Sequence, residues 1–253
     1  MMQTIKIAQI TDLHLVADKS DLIHNINTYN SARSIIQEVQ KKHVDIDFIV
    51  FTGDLVEDES SEGYENLRNL IHNINCPVIM IPGNHDSPEK IGKICSQDKH
   101  NKKRFLINKN WILFMFNTKK DNSNSGIIHQ DELKELNKLL IANPDKYFMI
   151  FMHHHVFNIG SSWMDKMIIE NGNLLESILK INNNIKGIAC GHVHQESFIE
   201  KYDVKFFSTP STCYQFLPKT STFKLDQASR PGYRIINLIS DGNIETHVER
   251  YYD

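Results

Sequence analysis

Cysteine is scarce in this chain of 253 residues: four in all, none in a CxxC pair. Cys76, Cys95, Cys190 and Cys213 are scattered. That spacing argues against a disulfide framework or a cysteine-rich zinc or iron–sulfur site, and it reads as free thiols in a reducing compartment. Long apolar runs are also missing. None approaches the roughly 18 residues that a membrane-spanning helix needs. The N-terminal stretch to Asp12 lacks a basic region followed by a long apolar core, so no secretory leader and a cytoplasmic location are expected. Neither sign of charge dominates, with Lys plus Arg 28 against Asp plus Glu 31 and a formal charge of -3. This balance gives no general attraction to nucleic acid or anionic lipid, and no basic aromatic stripe is visible. No stable nucleic-acid partner and no membrane partner are therefore expected, and the chain is read as a monomer or homodimer.

What is present is an ordinary globular composition, 40% hydrophobic and 23% charged, at a length that fits one domain, taken as residues 1–253. Short apolar runs alternate with helical stretches. IKIAQI leads into TDLH, FIVF into TGD, and VIMIP into GNHD. Helices are expected over 27–42 and 62–73, from their apolar stripes. Three near-continuous apolar strands separated by helices argue for a buried, largely parallel sheet. Further on, 105–108 and 111–116 read as paired strands turning near Lys109 and Asn110. Asp131 to Leu140 reads as a helix stopped near Asn143-Pro144. Tyr147–Met152 and Ile185–Ala189 read as strands, and 174–180 as a helix. The tail segments VKFFSTPS, PGYRIINLI and ETHVERYY, the last two joined by an Asp241-Gly242 turn, read as antiparallel strands. A mixed α/β sandwich covered by helices accommodates all of these.

The chemistry sits at the ends of five of these runs. Asp12, His14, Asp54, Asn84, His153, His192 and His194 each stand at or just beyond an apolar strand. Asp12-Leu13-His14 and His192-Val193-His194 place two ligand types two residues apart, on one face of an extended chain. Gly53 lets the chain turn sharply before Asp54, whose carboxylate can give one oxygen to each of two ions. Asn84 offers a neutral amide oxygen, which preserves positive charge for a phosphate. One of His153, His154 and His155 is expected to be a ligand, with His153 favoured, His154 facing the substrate phosphate and His155 structural. One ion would take Asp12, His14, Asp54 and His194, the other Asp54, Asn84, His153 and His192. Mixed nitrogen and oxygen donors point to iron or manganese, with zinc or cobalt compatible. His85, oriented by Asp86, is placed beside the metals as a proton donor or transition-state stabiliser, with Asn84 assisting. His24, His43, His72, His100, His129 and His247 receive no role.

DLH, GD, GNHD, the post-strand histidine and GHVH, in this order, resemble the calcineurin-like metallophosphoesterases. That resemblance implies a four-layer α/β/β/α sandwich with two mixed β-sheets and a dinuclear metal centre. MHHH, GSSWMD, CGHVHQE, STPSTCYQF and RPGYR extend the likeness to bacterial class III 3',5'-cyclic-AMP phosphodiesterases. The triple histidine is followed by Val156, where many of the superfamily have a proline nearby. The likeness implies hydrolysis of cyclic AMP to 5'-AMP by a metal-bridging hydroxide, without a nucleotide cofactor. It also brings in Tyr214 and Phe216 as rings that could stack on a base, and Thr209, Ser211 and Thr212 as ribose-binding hydroxyls or turn caps. Competing readings are other dinuclear phosphoesterases, acting on glycerophosphodiesters, 2',3'-cyclic nucleotides or phosphomonoesters, and a catalytically silent metal-stabilised binding module.

Overall fold

The computed structural model describes residues 4–97, 105–108 and 110–252. His100 and Lys109 lie outside the described residues, as does the side chain of Cys95; Cys76, Cys190 and Cys213 are free thiols. The first half runs β1 (Thr4–Ile10), α1 (Thr28–Lys42), β2 (Phe48–Phe51), α2 (Ser61–Ile71), β3 (Val78–Met80) and α3 (Pro88–Gln97). Then come β4 (Phe105–Asn108), β5 (Trp111–Met115), α4 (Gln130–Ala142), β6 (Tyr147–Phe151), a 3-10 turn at Met164–Met167, α5 (Gly172–Leu179) and β7 (Ile185–Cys190). The remainder is all strand: β8 (Ser197–Lys201), β9 (Val204–Ser208), β10 (Gln215–Phe216), β11 (Leu225–Asp226), β12 (Gly232–Ile239) and β13 (Ile244–Arg250).

Two mixed sheets result, in the orders β13-β12-β1-β2-β3 and β4-β5-β6-β7-β9-β8. In the first, β1, β2 and β3 are parallel, and the β12–β13 hairpin joins antiparallel to β1. In the second, β5, β6, β7 and β9 are parallel, with β4 and β8 antiparallel at the edges. The tail strands are antiparallel as read in β12–β13 and in β8–β9, but they are built into the two sheets, and on its other side VKFFS pairs parallel with β7.

Period-two alternation makes the layers. Ile5 and Ile7 of β1 pack between the sheets with Val50, Trp111, Leu113, Met149 and Phe151. Ala8 and Ile10 face the other way, onto Ile35, Val39, Leu67 and Ile71 of α1 and α2. On the far side Phe114, Phe148 and Ile150 pack against Leu136, Leu140, Leu175 and Leu179 of α4 and α5. The chain is thus an α/β fold of two mixed sheets flanked by helices. Each fully buried large apolar side chain contributes on the order of 1.5–3 kcal/mol. Helix starts follow their caps, with Asn27 accepting from Asn30 N and Ser60 from Gly63 N. No helix among the described residues is long and apolar enough to cross a membrane.

Gln9 and its register partner Arg234 interrupt the apolar seam between the sheets. Gln9, fully buried, donates to Thr52 Oγ1 (2.9 Å) and to the Cys190 carbonyl (3.1 Å), and accepts from Thr209 Oγ1 (2.5 Å). It fixes β1 against the β7 and β9 ends, where the two sheets present their C-terminal edges together.

Candidate metal centre

Five strands, β1, β2, β3, β6 and β7, end at this shared edge, and the loop after each turns inward. The turns are sharp. Asp12, His14, Asp54, His192 and His194 all have φ between 46° and 69°. Left-handed backbone costs a non-glycine residue on the order of 1–3 kcal/mol, and it persists where surrounding bonds over-determine it. Those bonds are visible. Asp12 N, His14 N and Leu15 N donate to the carbonyls of Gly53, Asp54 and Leu55 at 3.0, 2.9 and 3.1 Å, zipping the first two loops together. His192 N donates to both Asp12 carboxylate oxygens at 3.1 Å. Close approach requires glycine at position 83, where a Cβ would lie 2.1 Å from Asp54 Oδ1.

The side chains converge in two groups. In one, His14 Nε2 lies 3.1 Å from His194 Nε2 and 3.9 Å from Asp54 Oδ2, while His194 Nε2 lies 3.4 Å from Asp12 Oδ1. In the other, His153 Nε2 lies 3.1 Å from Asn84 Oδ1 and 3.2 Å from Asp54 Oδ2, and His192 stacks edge-on to His153 with ring centroids 5.0 Å apart. Asp54 Oδ2 faces both groups. Asp12, Asp54 and the imidazoles of His14, His153, His192 and His194 are all nearly or fully buried.

The outer ring nitrogens explain what the inner ones can do. His14 donates from Nδ1 to Glu57 Oε2 (2.5 Å), His153 from Nδ1 to the Thr52 carbonyl (2.8 Å), and His194 from Nδ1 to the Tyr214 carbonyl (2.8 Å). Each bond fixes the proton on Nδ1 and turns the Nε2 lone pair inward. His192 Nε2 and His154 Nε2 are buried with no hydrogen-bond partner. The inner ring nitrogens, two carboxylates and an amide oxygen therefore face one another across a buried space, where without an ion a proton on His153 Nε2 serves Asp54 and Asn84. Buried acceptors in that state are satisfied by a cation, and the nitrogen and oxygen set fits two divalent ions. Triads including Asp12–His14–His194 and Asp12–Asp54–His153 hold their ligand atoms within 4.8 Å of one another.

Electrostatics agree. Burial alone would raise the Asp54 carboxyl, but the imidazoles of His153, His85 and His14 hold it well below the ordinary carboxylate range. Burial opposes charge on His153, yet Asp54 and Asp12 lift it to about 9. His154 and His192 are held well below the usual histidine value, by burial first and then by neighbouring imidazoles. The pocket thus contains carboxylates that demand positive charge and neutral imidazoles able to coordinate it.

A cavity of about 300 Å³ opens over the cluster, lined in part by His14, Asp54, Asn84, His85, His192 and His194. His85 donates from Nδ1 to the Glu57 carbonyl (2.7 Å), so Nε2 is its remaining nitrogen on a partly exposed ring. The expectation that Asp86 orients this imidazole is corrected. The Asp86 carboxylate accepts from the backbone N–H of Leu55, Val56 and Gly83 and from Tyr64 OH, tying the GD and GNHD loops together. Glu57 is the carboxylate beside His85, with Oε2 3.7 Å from Nδ1. His154 is fully buried and does not line this cavity; its Nδ1 pairs with Thr118 Oγ1 (2.8 Å), and its ligand atom lies within 4.8 Å of those of His153 and His192.

Thr209, Ser211 and Thr212 are fully buried and serve the scaffold: Ser211 and Thr212 donate to the Asp12 carbonyl, and Thr209 to Gln9. Tyr214 and Phe216 do line the cavity, but their rings lie against His194, Phe216 stacked at 4.2 Å and 17° and Tyr214 tilted at 4.8 Å. Sequence reasoning missed Glu57, one turn-residue among many in LVEDES. Trp163 and Met167 fall in FNIGSSWMDKMII, a stretch the sequence suggests as a rim over a site, but nothing in it singles out either residue. GDLVE offered the only signal for Glu57, a carboxylate three residues beyond Asp54.

A set of donors able to hold two ions at the joint edge of two mixed sheets defines a class, the metal-dependent phosphoesterases. The family model described as calcineurin-like phosphoesterase matches residues 5–196, and the chain belongs to that family. A 3',5'-cyclic adenosine monophosphate phosphodiesterase, CpdA, of Haemophilus influenzae is 36% identical over 247 residues, covering 97% of this chain and 90% of the relative. A 3',5'-cyclic-nucleotide phosphodiesterase of Nostoc is 30% identical over 246 residues, covering 97% and 92%. Among solved structures, a dimetal phosphatase from Danio rerio superposes with a TM-score of 0.67 at 12% identity, covering 98% of this chain and 99% of that one. That likeness is one of fold.

Proposed function

We propose that this chain hydrolyses 3',5'-cyclic AMP to 5'-AMP. The observation that carries the chemistry is Asp54 Oδ2, 3.9 Å from His14 Nε2 on one side and 3.2 Å from His153 Nε2 on the other. One carboxylate oxygen serving two imidazole groups is the arrangement that holds two cations side by side. The choice of cyclic nucleotide is supported by relatives named as cyclic-nucleotide phosphodiesterases that match this chain along nearly its whole length.

In this reading Asp12, His14, Asp54 and His194 hold one ion, and Asp54, Asn84, His153 and His192 the other. Iron or manganese suits these donors, since no thiol joins the convergent groups among the described residues. When bound, the two ions supply Lewis acidity to the phosphoryl oxygens and make water a stronger nucleophile. The chain's own residues do the rest. Asn84 contributes a neutral oxygen, so the site keeps net positive charge toward a phosphodiester. His85, held through Nδ1 by Glu57, keeps Nε2 for the leaving 3' oxygen. In-line attack of water on phosphorus breaks the P–O3' bond; His85, protonated on both nitrogens with Nδ1–H on the Glu57 carbonyl, gives its Nε2 proton to O3', and the proton that the attacking water releases restores the one on Nε2.

A substrate panel run beside metal analysis of the same sample tests this. Cyclic AMP is compared with cyclic GMP, a 2',3'-cyclic nucleotide, a glycerophosphodiester and a phosphomonoester. The expected result is two metal equivalents and a clear kcat/KM lead for 3',5'-cyclic nucleotides. Fully loaded protein that is inactive on every cyclic nucleotide overturns the substrate reading.

A further inference from the structure

The cavity has two unlike sets of lining residues. Besides the imidazoles, Asp54 and Asn84, the second set is Asn124, Trp163, Met164, Met167, Tyr214 and Phe216. At about 300 Å³ the space exceeds what a phosphate group fills and lies in the range of small-ligand pockets. No lysine or arginine lines it among the described residues. A ligand with several phosphates would leave its extra charge unmatched here, so the space suits a single diester charge joined to an uncharged body.

Three members of the second set are already engaged. Phe216 and Tyr214 are buried against His194, and Met164 is buried beneath them with Val193 and Cys213. Trp163 and Met167 are half-buried, and Asn124 is exposed. The indole is held in place: Nε1 donates to Thr220 Oγ1 (3.2 Å), and its contacts with Phe216 and Phe223 cross at 77° and 82°. Neither contact is a parallel stack. Asn124 is the one amide side chain in this set among the described residues.

We propose that Trp163 and Met167 form the platform for a nucleobase and that Asn124 reads the base's edge, which makes these three the residues that choose among cyclic nucleotides. This rests on the cyclic-nucleotide reading above. An indole face and a thioether offer the apolar, polarisable surface on which a flat heterocycle stacks. A carboxamide presents an acceptor and a donor side by side. Adenine answers with its N6 donor and N7 acceptor, whereas the O6/N7 edge of guanine presents two acceptors and satisfies only the amide's donor. Adenine is the base these residues prefer.

The test compares kcat/KM of metal-loaded enzyme for cyclic AMP, cyclic GMP and 1-deoxyribose 3',5'-cyclic phosphate, a cyclic diester with neither a base nor any other aromatic ring. Asn124→Ala should lower the cyclic AMP to cyclic GMP ratio by about tenfold, acting through KM. Trp163→Ala and Met167→Ala should each lower the ratio of cyclic AMP to the baseless diester. Binding gives a second readout: the sequence has two tryptophans, and Trp111 is buried in the core. The product 5'-AMP should therefore quench wild-type fluorescence but not that of Trp163→Phe. A base ratio unmoved by Asn124→Ala and Asn124→Leu overturns the edge-reading role. A baseless-diester ratio unmoved by both platform variants overturns the platform. Wild-type enzyme that cleaves the baseless diester and neither cyclic nucleotide overturns the cyclic-nucleotide reading itself, an outcome distinct from the other two.

Discussion

His14 and His194 bring their Nε2 atoms to 3.1 Å of each other, although each ring already commits its Nδ1 proton elsewhere, to Glu57 and to the Tyr214 carbonyl. Two imidazole lone pairs at that distance repel unless something positive lies between them. A proton can do so, and a divalent cation does so better, because Asp12 and Asp54 add oxygens on the same side. Asp54 is the group common to both half-sites. Asp54→Ala is therefore expected to reduce metal content from two equivalents to less than one. Turnover should fall by more than about a hundredfold, since loss of an outer partner alone typically costs 10–100-fold. Elemental analysis of purified protein alongside steady-state kinetics measures both. Two retained ions would defeat the bridging assignment.

Metal loading should depend on pH in a definite direction. Without an ion, burial disfavours charge on His153, but Asp54 and Asp12 hold its proton up to about 9. The raised value means that the protonated pair stabilises metal-free protein below the ordinary histidine value of about 6.5. That contribution is lost as pH climbs toward 9. Coordination requires the same proton to leave. Chelator-treated protein should therefore lose thermal stability between about pH 6.5 and 9. Apparent metal affinity should rise across the same interval, with proton release seen by calorimetry in buffers of different ionisation enthalpy. Flat profiles for both quantities would rule the coupling out.

Glu57 acts on the cluster from outside it. Its Oε2 is 2.5 Å from His14 Nδ1 and 3.7 Å from His85 Nδ1, and its carbonyl accepts from His85. Burial raises this carboxyl, but the His14 bond outweighs it and brings the pKa down, so the group is an anion when it meets the imidazole. Glu57→Gln keeps the shape and removes the charge. The His14 ring should become a weaker ligand, with about 10–100-fold loss of metal affinity at that site. Metal titration should show one weakened equivalent and one unaffected. Equal weakening of both would point to general loosening instead.

The chain's order is most legible where a residue type and an apolar run coincide. Ile5 to Ile10 and Val78 to Met80 announce buried strands, and Asp12 and Asn84 lie beyond them because polar groups cannot continue the sheet core. Such junctions are local, so they are legible. Pairing is not. β9 lies beside β7 and parallel to it, with β8, which precedes it in the chain, antiparallel on its outer side, and nothing in VKFFS states this. α3 was also missed, since Pro88–Gln97 follows GNHD with few apolar residues to mark a stripe. The Asp86 error has the same source. Adjacency to His85 suggested contact, whereas the backbone amides of Leu55, Val56 and Gly83 capture the carboxylate. Partners brought in by tertiary folding, such as Glu57 for His14, leave little trace in the chain's order.

His85 allows a separation between holding metal and moving a proton. Its ring lies edge-on to His14 at 5.1 Å, its backbone N–H donates to Asp54 Oδ1 (2.9 Å), and its Nδ1 is fixed on the Glu57 carbonyl. Only the side chain is removed in His85→Ala, so the backbone bond to Asp54 survives. Metal content should stay at two equivalents, and thermal stability should change little because the ring is partly exposed. Turnover of cyclic AMP should fall by about 10²–10⁴-fold, the usual contribution of a positioned general acid. The leaving group then discriminates between roles. A 3' alkoxide needs a proton as it departs, whereas p-nitrophenolate does not. The loss on cyclic AMP should therefore exceed the loss on bis(p-nitrophenyl) phosphate. Equal losses on the two substrates would make His85 a binder of the phosphoryl group and move proton donation to another atom.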